Sequence, residues 1–456
     1  MSNVTQINRM RGIQRPALWV AAGGLLVALA GLLLDQAEFW RAYLFAYLFW
    51  LEIALGCLGL VLLHHLAGGR WSASVRGIAE SAALTLPAFG LLFLPLLVAL
   101  PQLYPWADGA QMAASPLLQQ KSAWLNLPFF GARAVVYFGV WSLLAVYLHR
   151  LSQAEAAAGG SPEITAQLHR LSALGMILYF VTATFAAFDW MMSLEPAWFS
   201  SIYGLHFLAG QAVAAISLAI IGLAATPPPS LPHSGGGAES SPRVLHSRGK
   251  ETPPPGVLHS DGGETSAPSP QWGGLGWGEG AKSSPGVLHS GGEETSAPSP
   301  QWGGLGWGIQ SFNDLGNLLL AALMIWAYFA FSQFLIIWSA NIPEEAVWYV
   351  VRSRGGWQWL AIGLVVLHFA LPFALLLSRS LKRNPRALAW LAGLLFCLRA
   401  LDLFWLIVPA FHAEGLHIHW LYPLLLVGMG GGWGWLFVRQ WSNMPSLLPL
   451  DKRGDK

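Results

Sequence analysis

The chain has 456 residues, of which 54% are hydrophobic and only 11% charged, with 24 Trp among them. No soluble core uses so many nearly uncharged runs of about 20 residues, so the composition excludes a soluble globular protein and indicates an all-α polytopic membrane protein. The formal net charge of +2 says little about partners, because in such a chain the distribution of charge matters more than its sum; a lipid membrane and no nucleic acid is the expectation.

Arg9, Arg11 and Arg15 precede an apolar run at 16–34, which is too long for the core of a signal peptide and lacks a small-residue cleavage site, so it reads as a retained first helix. Nine further runs reach spanning length, at 42–66, 78–100, 129–149, 170–190, 198–224, 313–339, 356–378, 386–410 and 420–439. Backbone polar groups in lipid must be paired within the segment, which predicts about ten transmembrane helices. The alternation over about ten residues that marks a membrane barrel is missing.

Between the sixth and seventh runs the composition changes. Residues 226–309 are rich in Pro, Gly and Ser, and the string ETSAPSPQWGGLGWG occurs at Glu264–Gly278 and again at Glu294–Gly308. Such a tract buries too little apolar surface to offset its ordering entropy, so a disordered cytoplasmic insertion is expected, removable without harm to membrane assembly. It divides the chain into a membrane half at 1–225 with helices 1 to 6 and another at 310–456 with helices 7 to 10. Among termini and short loops, fifteen Lys and Arg fall on one side and four on the other, which predicts that both termini are cytoplasmic.

Ionisable residues at membrane depth usually mark pathways. Alternating the helix directions sorts the candidates into layers, with Glu80, Asp314, His64, His65, His149 and His169 near the cytoplasmic face. Glu52, His206, His368 and the i,i+3 pair Arg399 and Asp402 fall near mid-depth, and Arg133, Asp189, Glu195, His412, His417 and His419 toward the outer face. Some have ordinary structural explanations. Ser311 and Asp314 have the S-x-x-D spacing of a helix start. Ser193 or Glu195, ahead of Pro196, suits a cap on the sixth helix. The loop AFHAEGLHIHW offers imidazoles for a metal, although an exposed interfacial loop is the favoured reading and no metal site is expected. Cys57 and Cys397 form no C-x-x-C or haem-attachment pattern, so any redox cofactor would have to be held by other ligands.

The strings FDWMMSLEPAWFSSIYG, FNDLGNLLLAALMIWAYFAFSQFLIIWSANIPEE and RNPRALAWLAGLLFCLRALDLFWLIVPAF resemble the ActF-type membrane subunits of bacterial alternative complex III. These are quinol:cytochrome c or cupredoxin oxidoreductases, and the subunits are similar to the NrfD and polysulfide-reductase membrane anchors. The resemblance implies two four-helix bundles, helices 2 to 5 and 6 to 9, with helices 1 and 10 peripheral, in the bacterial inner membrane. It further implies partners: a paralogous quinol-binding membrane subunit, an iron-sulfur protein and c-type cytochromes, which would carry the haem c and iron-sulfur centres, with no redox cofactor in this chain. The carboxylates Asp189, Glu195, Asp314 and Asp402 lie in the matched strings. Glu52, Glu80 and Arg133 lie outside those strings and rest on position alone. It is the layering of the polar residues that leads to an expected proton route from Asp314 and Glu80 through Asp402, Arg399, Glu52 and His206 to Asp189 and Glu195. The alternatives are a quinone site within this subunit and a secondary transporter.

Overall fold

The computed structural model describes residues 3–226 and 309–444. Residues 227–308, where the disordered insertion is expected, lie outside the described residues.

Among the described residues, ten helices are long and apolar enough to cross a membrane. They are α1 (Asn3–Leu34), α2 (Gln36–Ala67), α3 (two pieces, Arg70–Ala83 and Leu86–Leu103), α4 (Leu127–Ala157) and α5 (Pro162–Trp190). After these come α6 (Tyr203–Ala225), α7 (Ile309–Ala340), α8 (Trp357–Leu377), α9 (Pro385–Ile407) and α10 (Leu421–Ser442). Short helices decorate the connections, and there is no strand among the described residues. The protein is an all-α polytopic membrane protein.

Helices α2 to α5 close one four-helix ring and α6 to α9 a second, with α2 packed against α6 along the seam. Helices α1 and α10 pair with each other and dock on α2, giving the expected two bundles and two peripheral helices. The surface is apolar where a soluble protein would be charged: Trp390 is 81% exposed, Trp19 79% and Leu33 77%. A lipid environment removes the penalty for that exposure, so association depends on close packing and internal polar contacts instead. Small residues supply the packing between α1 and α10, where a Cβ built on Gly24 would lie 2.3 Å from the Gly428 Cα.

Two helices are interrupted by their sequence. The pieces of α3 meet at Leu84–Thr85, just ahead of Pro87, and the Thr85 hydroxyl accepts the indole N–H of Trp433 from α10 at 3.2 Å. In α8 the segment Leu364–Ala370 is a π-helix containing His368. Pro372 has no N–H to donate to the His368 carbonyl four residues back and crowds it, which favours the widened turn.

Several boundaries differ from the sequence reading. Helices α2, α4 and α5 continue beyond their apolar windows, because a helix crossing the interface keeps its backbone bonds while its side chains become polar. Helix α6 starts at Tyr203 rather than near 198, so His206 stands in its first turn and not near the middle of a span. The reason lies in the connection, where Met192–Leu194 form a 3-10 turn and neither Ser193 nor Glu195 caps α6. Ser193 instead donates to the Asp189 carbonyl at 2.5 Å. Helix α7 is already formed at Ile309, so Ser311 is inside it and does not cap it; its hydroxyl accepts from Ser74 of α3 at 3.2 Å.

Candidate functional site: a buried ion-pair cluster

Helix α9 carries Arg399 and Asp402 three residues apart, hence on one face. Arg399 reaches across the bundle seam to Glu52 of α2, with Nε 3.0 Å from Oε1 and Nη2 2.7 Å from Oε2, while its Nη1 donates to Asp402 Oδ2. Exposure of the three residues is 0% for Glu52 and Arg399 and 2% for Asp402. Space for the guanidinium comes from Gly210 of α6, where a Cβ would lie 2.2 Å from the Arg399 Cζ. Asp402 accepts a further bond at 3.0 Å from the indole N–H of Trp326 on α7.

The Trp326 ring lies between two imidazoles, with its centroid 5.7 Å from His206 of α6 and 4.4 Å from His368 in the π segment of α8. Both histidines are buried, and all four of their ring nitrogens lack a hydrogen-bond partner among the described residues. The five candidates expected near mid-depth therefore come together in one place, His206 from the first turn of its helix, even though their helices are far apart in sequence.

The charges do not cancel. Two carboxylates face one guanidinium, so with all three ionised the cluster carries one net negative charge where uncompensated charge is expensive. One additional proton, held by a carboxyl group or a neighbouring imidazole, neutralises it. The arrangement can thus store and release a proton without disturbing the Arg399 ion pair.

The other candidates sit in separate knots. Asp189 accepts two bonds from Arg133, at 2.7 and 2.8 Å, one from the Tyr137 hydroxyl at 2.8 Å and one from the Trp124 indole at 3.0 Å. Both of its oxygens are fully engaged by donors. Glu195 pairs with Arg352 at 2.7 Å, and Arg352, stacked on Trp348 at 3.6 Å, also donates to the carbonyls of Trp348 and Leu406. Lys121 steadies the same connection by donating to the Pro196 carbonyl at 2.5 Å, and burial lowers its ammonium from the usual lysine range. At the opposite end of the bundle, Glu80 accepts from Arg76 at 2.8 Å and from Ser152 at 2.6 Å and lies 2.9 Å from His149 Nδ1.

Among the described residues, the side-chain hydrogen bonds of these knots stay within each knot. Tyr203, the first residue of α6, lies buried in the field of both the Arg352–Glu195 pair and the Arg399–Asp402 pair. Asp314 is half-buried in the second turn of α7.

Sequence reasoning missed Trp326, Gly210 and Arg352. Trp326 had no signal beyond being one aromatic residue among many. Arg352 counted only as a loop charge, although it ends a short amphipathic helix, Pro343–Arg352, where an arginine has a reason to point inward. No protein-family model matches the chain, and no curated protein matches it.

Proposed function

We propose that the chain is a membrane subunit, without a redox cofactor of its own, of a quinol-oxidising complex of the alternative-complex-III type in the bacterial inner membrane, and that its central cluster handles protons. The observation that carries the proton role is the excess carboxylate of Glu52–Arg399–Asp402 beside two buried imidazoles with unpartnered nitrogens. A purely structural ion pair needs one carboxylate, and a second beside it creates a site whose charge depends on a proton. The assignment to a quinol-oxidising complex rests on the three matched strings. Both termini on the cytoplasmic side follow from the loop charges, which puts Glu80 at the proton-uptake face and Asp189 and Glu195 at the outer face.

Two measurements test this reading. Purification from native membranes is expected to bring down a multihaem cytochrome, an iron-sulfur protein and a second membrane subunit, and isolation without them overturns the assignment. In the intact complex, Glu52→Gln and Asp402→Asn are expected to lower quinol-driven proton uptake per electron while quinol oxidation continues. Unchanged uptake in both variants rules out the proton role. The unpartnered nitrogens of His206 and His368 would also suit quinone carbonyls, and quinone retained by the isolated wild-type subunit but lost from His368→Leu would favour that second reading.

A further inference from the structure

The connection between α9 and α10 is pinned to the rest of the molecule at three points. The His412 N–H donates to the Val408 carbonyl at 3.1 Å, Trp357 Nε1 donates to the His412 carbonyl at 3.1 Å, and the Leu416 N–H donates to the Gly355 carbonyl at 2.7 Å. Gly355 has φ 59°, and a Cβ on it would lie 2.4 Å from the Gly415 Cα, so the two backbones meet where side chains would not fit. The effect is to hold His412 against the first turn of α2.

At that point His412 Nε2 lies 2.9 Å from Glu38 Oε1, but out of line for a hydrogen bond, and it has no other partner among the described residues. The His417 ring stacks on His412 with centroids 4.4 Å apart and planes at 24°. One ligand atom from each of Glu38, His412 and His417 lies within 4.8 Å of the other two. Glu38 is only 6% exposed and is held from both sides: its backbone N–H donates to Asp35, and Tyr422 donates to its Oε2 at 3.2 Å.

We propose that Glu38, His412 and His417 form a binding site for a divalent transition-metal ion, with zinc the best fit. Two imidazoles and one carboxylate are a donor set that zinc accepts with water in the fourth position. The nitrogens discriminate against calcium and magnesium, which take oxygen ligands. Tetrahedral zinc wants donors about 3.3 Å apart, given bonds near 2.0 Å. Buried Glu38 and half-buried His412, 2.9 Å apart, are already near that spacing, and His417, on the exposed part of the loop, supplies the remaining movement. Arg41 is the competitor: it is paired with Glu38 Oε1 at 2.5 Å, but its side chain is 26% exposed and lies over Phe411 at 5.4 Å, from where it can turn to solvent. A bound ion would staple the start of α2 to the α9–α10 connection. The sequence offered the histidines alone; the third ligand comes from a residue 374 positions earlier than His412.

The test uses the full chain purified in detergent, stripped with EDTA and titrated with zinc against a chromophoric chelator. One tight zinc per chain is expected, with affinity falling at least tenfold in His412→Ala and in His417→Ala, as for loss of a ligand, and unchanged in His419→Ala. Arg41→Ala is expected to bind zinc more tightly. X-ray absorption at the zinc edge should give two imidazole nitrogens in the wild type and one in His417→Ala. His417 is exposed, so His417→Ala should keep the metal-free melting temperature of the wild type, and this variant decides the matter if His412→Ala folds poorly. Equal zinc affinity in the wild type and His417→Ala, or loss of binding in His419→Ala alone, overturns the site by placing the ion on other histidines. Absence of any zinc binding tighter than the chelator detects overturns it as well.

Discussion

Gly210 and Arg399 are spatially exclusive partners: the guanidinium carbon of Arg399 lies 2.2 Å from where the first side-chain atom of any residue other than glycine at 210 would stand. Arg399 is pinned on its other sides by Glu52 and Asp402, so it cannot retreat without breaking an ion pair. Gly210→Ala is therefore expected to destabilise the protein by about 3–5 kcal/mol, the scale for uncoupling a buried charge. The check is thermal unfolding in detergent followed by size-exclusion chromatography, and a variant that melts with the wild type would show that the Arg399 contact is adjustable.

Removing the arginine alone leaves two carboxylates facing each other in a dry site. Arg399→Met should then cost about 3–5 kcal/mol, whereas the triple variant Glu52→Leu, Arg399→Met, Asp402→Leu should recover much of that loss, because no charge remains to be matched. Trp326 would still lose its acceptor, an expense of about 1–3 kcal/mol that should keep the triple variant below the wild type. If the single variant proves the more stable of the two, the cluster is not held by its charge balance.

Asp189 is expected to act as an anchor. Its oxygens receive four donors, three of them from Arg133 and Tyr137 on α4 and one from Trp124. Asp189→Ala strands all of them and should cost about 3–5 kcal/mol, while the double variant Asp189→Leu, Arg133→Met should be milder. Comparing the melting temperatures of the two variants tests this, and a double variant that loses more than Asp189→Ala would mean that Arg133 and Asp189 contribute independently.

The pairing of α1 with α10 rests on glycine. A Cβ on Gly24 would meet the Gly428 backbone, and one on Gly431 would lie 2.9 Å from the Ala17 carbonyl. Gly24→Val should separate the two helices while leaving both four-helix rings intact. Cysteines placed at Ala21 and Gly432, where a Cβ on Gly432 would lie 4.0 Å from the Ala21 Cβ, in a background without Cys57 and Cys397, should cross-link readily, and the cross-link should disappear when Gly24→Val is added. Persistent cross-linking would mean that α1 is held elsewhere.

Most of the fold was legible because lipid leaves few solutions. A run of about 20 apolar residues must be helical there, and that constraint locates the ten spans without any knowledge of their packing. What it leaves out is visible at α6: the apolar run begins near 198, but Pro196 sits in a turn, helix starts only at Tyr203, and His206 consequently lies shallower than counting residues suggests. The Arg399–Asp402 pair was readable from spacing on a single helix. Glu52 as its third member was not, because nothing local relates residues 347 positions apart. The same holds for Arg133 with Asp189, where the sequence supplied both members and not the match, and for Glu195, whose partner Arg352 counted only as a loop charge. Hydropathy finds the helices, and only packing decides which buried charges meet.

The separation between Glu52 and Arg399 also sets a schedule. Helix α2 leaves the ribosome early, and its counter-charge on α9 is synthesised 347 residues later, a delay of about 20–70 s at ordinary elongation rates. During that interval Glu52 must be carried in the bilayer protonated, shielded by another protein, or with α2 held back from lipid. Biogenesis of this chain therefore requires a waiting state for one carboxyl group. Completion of α9 ends it, and the seam between the two bundles closes from the C-terminal half.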